Sequence, residues 1–137
     1  MDVRTLREIC LGLPGVFEDW PFGPDTSVMK IKAPTSVPAR HETKMFALFR
    51  AERSPLTVNL KCDPALAEQL RAAHPEIIPG YHMNKKHWNT IDCSAGLPEE
   101  MIRDLIEDSY DLVVSTLSKA QREALGWRGL VDRGSDD

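Results

Sequence analysis

The stretch Leu56 to Cys62, LTVNLKC, is the most restrictive pattern in this chain. Leu56, Val58, Leu60 and Cys62 fall on one side of an extended strand and Thr57, Asn59 and Lys61 on the other, because successive side chains of a strand point to opposite faces. Such a strand lies in a sheet with one face against a core and the other carrying a polar row open to contacts. Asp63 and Pro64 follow at once as a helix N-cap and a first helical residue. Leu66, Leu70 and Ala73 then predict an apolar stripe down a helix that stops at Pro75, with Arg71 one residue off the stripe and exposed.

The remaining segments extend this alternation of strand and helix. Val3, Leu6, Ile9, Cys10 and Leu13 recur at helical spacing behind an Asp2 cap, and Gly12 and Pro14 end that helix. LPGVFEDWPF, Leu13 to Phe22, predicts an ordered connection anchored on the core by Phe17, Trp20 and Phe22, with Glu18 and Asp19 as solvated loop acids. Thr26 to Ala33 predicts a strand with Met29, Ile31 and Ala33 opposite Val28, Lys30 and Lys32. Pro34 to Thr43 reads as a mobile surface loop, and Lys44 to Arg50, KMFALFR, as a central strand apolar on both faces.

Ile77 and Ile78 are expected to be buried, and Pro79 and Gly80 turn the chain toward a strand from about His87 to Cys93. In that strand Trp88, Thr90 and Asp92 share a face opposite Asn89, Ile91 and Cys93. After Gly96 to Pro98 a long helix opens with Glu99 and Glu100, favourable at its positive end, and buries Ile102, Leu105, Ile106, Val113 and Leu117. Ser118 and Gln121 form a capping box for a short helix over Lys119 to Leu125.

A chain of 137 residues, 42% hydrophobic and 28% charged, has the size and composition of one globular domain. The domain is placed at residues 1–126 and a C-terminal tail at 127–137, frayed except at Trp127. A net charge of −4 argues against a surface wholly made for nucleic acid, so a phosphate-binding site must be a local patch. Cys10, Cys62 and Cys93, odd in number and far apart, read as reduced buried thiols of a cytoplasmic protein. The N-terminus lacks the uninterrupted apolar core of a secretory signal, and no run is long enough to span a bilayer.

Chemistry-bearing motifs are sparse. His82 and His87 have no cysteine pair beside them, and neither CxxC nor HExxH occurs, so no metal site is assigned. GxxxxGK[ST], GxGxxG after a strand and GxSxG are missing too, so no cofactor and no catalytic residue are assigned. The stretch Pro79 to Thr90, PGYHMNKKHWNT, is different. It gathers two aromatic rings, two amides, two lysines and two histidines in twelve residues, a mixture suited to a polar partner.

LPGVFEDWPFG, KMFAL, VNLKCDP, Leu70–Arg71, IPGYHMNKKHWNTI and SYDLVV occur in that order from about Leu6 to Leu125. In this the chain resembles the MmcQ/YjbR-like proteins, small bacterial domains with a CyaY-like fold. It departs from them in PTSVPARHET, longer than the glycine-containing turn often found before the KMF strand. The resemblance implies an α+β two-layer sandwich, an antiparallel β-sheet backed by helices, in agreement with the residue-level reading. It also implies DNA binding through a proposed pair of wing-like β elements, carried here by Lys61, Asn84, Lys85, Lys86, His87 and Trp88.

Two functions follow as expectations. In the first, a non-enzymatic DNA-binding domain, Lys61, Lys85 and Lys86 neutralise phosphates while Asn84, His87 and Trp88 orient or stack on the nucleic acid. In the second, a small-molecule or protein-partner module, Asn59, Tyr81 and Trp88 line a cleft and the lysines recognise an anionic group, a carboxylate or phosphate. A convex lysine-bearing surface favours the first, and an apolar, concave pocket beside Trp88 the second. An enzyme would need a buried acid or base facing the cleft, which no motif locates.

Overall fold

A computed structural model describes residues 1–33 and 43–127. The loop expected over Pro34 to Thr43 therefore lies outside the described residues except for Thr43, as does the tail beyond Trp127. In chain order the elements are α1 (Val3–Leu11), β1 (Val16–Asp19), β2 (Ser27–Lys32), β3 (Thr43–Phe49), β4 (Thr57–Lys61), α2 (Pro64–Ala73), β5 (Ile77–Pro79), β6 (Trp88–Asp92), α3 (Glu99–Val114) and α4 (Lys119–Ala124). The strands form one sheet in the order β1-β2-β3-β4-β6-β5, with every neighbouring pair antiparallel. The helices supply the second layer, so the chain is an α+β sandwich with one sheet face covered.

The alternation in β4 decides which face is covered. Val58 and Leu60 are buried with Leu6, Ile9, Ile102 and Ile106 in the core between sheet and helices. Ser27, Phe49, Val58, Ile91 and Ile77 pair across five strands in one row, and all are buried. Directly paired residues share a face, so this row turns toward the helices. The next row, Asp19, Val28, Leu48, Asn59, Thr90 and Ile78, turns away from them.

β3 keeps this division despite its uniformly apolar sequence, because it carries a bulge. Met29 pairs with Ala47 but Lys30 pairs with Met45, which leaves Phe46 as an extra residue. Phe46, Ala47 and Phe49 consequently all join the helix-side core, while Met45 and Leu48 line the open side. The bulge interrupts the β3–β4 ladder, and a side chain from α3 repairs it. Lys61 N donates to Ser109 Oγ at 2.9 Å, and Ser109 Oγ donates to the Phe46 carbonyl at 2.6 Å. The Ser109 hydroxyl thus stands where a direct strand-to-strand bond would have been.

Caps appear where the residue types demand them. Asp2 accepts from Thr5 N, Asp63 from Leu66 N, and Ser118 and Gln121 form a reciprocal capping box. In α3, Ile102, Leu105, Ile106 and Val113 are buried as expected, and so is Leu117 just past its end. Tyr110 meets Phe46 edge-on and donates to the Pro14 carbonyl at 2.6 Å. Trp127 donates from Nε1 to Asp111 Oδ1 at 3.0 Å, which ties the last described residue to α3.

Several expectations need correction. Leu13 to Phe22 contains the edge strand β1, and Trp20 and Phe22 are 49% and 69% exposed rather than anchored in the core. The helix layer does not extend over that turn. Glu18 and Asp19 are strand residues held by cations: Arg7 grips Glu18 with its Nε at 3.0 Å, and Lys30 Nζ lies 2.7 Å from Asp19. Lys30 holds the Asp19 carboxyl below its usual range. Ile78 is exposed because it sits in the short strand β5 on the open face. In α2 the inward residues are Ala67 and Leu70, whereas Leu66 and Ala73 face outward. That rotation brings Arg71 to a half-buried position beside the β5–β6 connection.

Candidate functional site

The open face of the sheet is the floor of a cleft of about 590 Å³, a volume within the range of small-molecule sites. Leu48, Asn59, Thr90 and Ile78 form one row across its base, joined by Met45 and Thr57. Phe22 and Thr26 come from the β1–β2 turn, Arg50, Arg53, Ser54 and Pro55 from the β3–β4 turn, and Tyr81, His82 and Met83 from the β5–β6 connection. Three connections thus wall a floor built by the sheet.

The polar groups of the floor form a chain of defined direction. Tyr81 N donates to Thr90 Oγ1 at 2.9 Å, and Thr90 Oγ1 donates to Asn59 Oδ1. The amide oxygen of Asn59 is therefore occupied, while its Nδ2 has no hydrogen-bond partner among the described residues. Asn59 is 9% exposed and Thr90 5% exposed, so these polar groups lie deep beneath apolar walls. The Nδ2 is not among the sealed side-chain atoms left without a partner, so it opens onto the cleft and can donate to an acceptor placed there.

Charge in the cleft is one-sided. Arg50 and Arg53 line it, and among the described residues no aspartate or glutamate does and no ion pair involves either guanidinium. In a chain of net charge −4, these two cations, unpaired among the described residues and set beside apolar walls, favour an anion over a neutral guest.

The β5–β6 connection is held as a wall by its own polar groups. Arg71 donates to the Lys85 carbonyl at 2.9 Å, and Lys85 Nζ donates to the Gly80 carbonyl at 3.0 Å. Asn84 Oδ1 accepts from Lys86 N at 2.9 Å and from His87 N at 3.4 Å, closing a local turn. His82 takes the left-handed conformation, with φ 59°. Gly80 passes so close to β6 that a Cβ on it would lie 2.9 Å from the Trp88 Cβ.

The sequence-derived site residues thus divide. Asn59 and Tyr81 line the cleft, but Trp88 does not, which corrects that part of the cleft expectation. Trp88 shares the open face with Thr90 but sits two residues farther along β6, half-buried beside Gly80 and paired with Lys61. Asn84, Lys85 and Lys86 are exposed and His87 half-buried on the connection, whose turn occupies the Asn84 oxygen and the Lys85 amine. Sequence reasoning missed Phe22, Arg50, Arg53, His82 and Thr90 as a group. Two arginines in the short connection after KMFALF, and the shared face of Thr90 and Trp88, were the available signals.

The thiols lie away from this cleft. Cys10, Cys62 and Cys93 are all free and buried. Burial raises their pKa values, to about 12 for Cys10 and about 11 for Cys62 and Cys93. No group of three or more metal-ligating side chains occurs among the described residues, and no helix there is long and apolar enough to cross a membrane.

Sheet order, helix layer and cleft together define a small α+β domain with a concave site on its open sheet face. Residues 11–112 match the YjbR family model, and the chain belongs to that family. It is 39% identical to YbdF of Escherichia coli O157:H7 over 120 residues, covering 88% of this chain and 90% of YbdF. Escherichia coli K12 YjbR is 31% identical over 129 residues, covering 91% of this chain and 98% of YjbR. The crystal structure of Deinococcus radiodurans protein DR2400 superposes with a TM-score of 0.81 at 39% identity, covering 92% of this chain and 88% of that one.

Proposed function

We propose that this protein is a non-enzymatic binding module whose open-face cleft takes a small amphipathic organic anion. The observation that carries the reading is the pairing of a concave, largely apolar space with two arginines that, among the described residues, no carboxylate pairs with. An apolar body packs against Phe22, Met45, Leu48, Ile78, Tyr81 and Met83, and the anionic group meets Arg50 and Arg53 at the mouth. Charge-assisted hydrogen bonds to guanidinium then add orientation to the area-driven term.

The test uses two fluorescent probes with the same ring system. 1-Anilinonaphthalene-8-sulfonate carries the anion, and N-phenyl-1-naphthylamine lacks it. The sulfonate is expected to bind with one-to-one stoichiometry, and the double substitution Arg50→Ala, Arg53→Ala to weaken it about tenfold while leaving the neutral probe within twofold. Near-UV circular dichroism establishes that the fold is retained. No sulfonate binding, or binding indifferent to the two arginines, refutes the reading.

DNA binding is the second reading, favoured by the exposed Lys86 and Asn84 on the connection beside the cleft. It draws on fewer available groups, because the Lys85 amine and the Asn84 side-chain oxygen already hold the turn. Anisotropy of labelled duplex and single-stranded DNA at 50 and 200 mM salt, with Lys85→Ala, Lys86→Ala as control, decides it. Binding that weakens steeply with salt and flattens in the variant would support a phosphate contact there.

A further inference from the structure

We propose that Asn59 makes the cleft selective for anions carrying a carbonyl-type oxygen at the end remote from their charge; this rests on the cleft reading above and narrows its ligand class. The backbone N–H of Tyr81 can only donate, so Thr90 Oγ1 accepts from it and passes its own proton toward Asn59 Oδ1. This arrangement leaves the Asn59 amide nitrogen as the donor available to a guest on the cleft floor. It is not one of the sealed side-chain atoms left without a partner, so it opens onto the cleft and stays within reach of a guest.

The register sets the spacing between donor and cations. Asn59 is level with Leu48 on β3, and Arg50 lies two residues farther toward the β3–β4 turn, with Arg53 beyond it. Two residues of strand span about 7 Å. A guest that satisfies both ends therefore has its oxygen acceptor and its charge on opposite sides of a flat apolar body. A guest without the acceptor covers this amide and displaces its water without replacing the hydrogen bond, and sites that bury such a bond on binding discriminate against such analogues.

4-Isopropenylbenzoate and 4-acetylbenzoate share skeleton, charge and nearly the same shape, and differ in whether a methylene or a carbonyl oxygen stands at the end para to the carboxylate. Each is titrated against the protein by isothermal calorimetry and by displacement of 1-anilinonaphthalene-8-sulfonate. The acetyl acid is expected to bind at least tenfold more tightly to the natural chain, and Asn59→Ala to bring the ratio to within twofold. Thr90→Val, which removes the hydroxyl that orients the amide, is expected to reduce the ratio without abolishing sulfonate binding. It keeps the proposal testable if the alanine variant fails to fold.

Equal affinity of the two acids for the natural chain, or a ratio unchanged in both variants, overturns the role of Asn59 while the cleft reading stands. Failure of both acids and of the sulfonate to bind removes the cleft reading and this inference with it.

Discussion

Ser109→Ala is the most direct probe of how this fold holds its sheet. The Ser109 hydroxyl accepts from Lys61 N and donates to the Phe46 carbonyl, so its removal orphans one backbone donor and one backbone acceptor. Ser109 and Phe46 are both at 0% exposure, which leaves little room for water to take over. Each unsatisfied buried group is unfavourable by about 1–2 kcal/mol, and alanine's better helix propensity returns about 0.5 kcal/mol. The net expectation is a loss of about 1.5–3.5 kcal/mol. With a urea m-value of about 1.5 kcal/mol/M for a domain of this size, the midpoint drops by about 1–2 M at constant m. Urea titration followed by far-UV circular dichroism reads this, with Ser115→Ala as a control because that hydroxyl is exposed and bonds only to the Leu112 carbonyl of its own helix. A Ser109→Ala midpoint within 0.3 M of the natural chain, about 0.5 kcal/mol, would refute the claim that this hydroxyl bridges the bulge.

Two further perturbations address the cleft wall and the core. Gly80→Ala places a Cβ 2.9 Å from the Trp88 Cβ and 3.0 Å from the Trp88 carbonyl oxygen. It should destabilise by about 1–3 kcal/mol and weaken 1-anilinonaphthalene-8-sulfonate binding by moving Tyr81 to Met83; natural stability together with natural probe affinity would contradict the packing described. The three cysteines give a pH test. Their folded pKa values lie above the ordinary 9.0, at about 12 and about 11, so they ionise in the unfolded chain before the folded one. Their stabilising contribution is complete below pH 9 and is lost as pH rises toward 11, lowering the urea midpoint over that interval. Replacing all three with alanine should flatten the decline, and an unchanged slope would count against their burial.

Much of the fold was legible because it rests on local rules. Asp2, Asp63 and Ser118 accept from the N–H groups expected of N-caps, and the alternation in LTVNLKC named the covered face of β4 correctly. Errors arose where an element's surroundings, not its own residues, set exposure. Trp20, Phe22 and Ile78 look like core residues by type, yet Trp20 lies on a turn the helices do not cover, and Phe22 and Ile78 face the open side of the sheet. Arg71 looks peripheral, yet the rotation of α2 aims it at the Lys85 carbonyl.

The candidate site was half visible. Asn59 was marked by facing away from the core, and Tyr81 by its dense polar surroundings. Arg50, Arg53 and Phe22 have no periodicity that separates them from ordinary turn residues. They join Asn59 only because β3 and β4 are adjacent and the β1–β2 turn folds toward the same side.

By itself, then, the amino-acid order determined the four helices, strands β2, β3, β4 and β6 and the inward faces of β2 and β4, since caps, prolines and period-two alternation act within a few residues; β1 and β5 were not among them. Tertiary structure alone decided three things: the bulge at Phe46, the Ser109 bridge that repairs it, and the gathering of two arginines over an amide donor on the open face. Each depends on which strands become neighbours, and that follows from burying the whole apolar set against the helices at once.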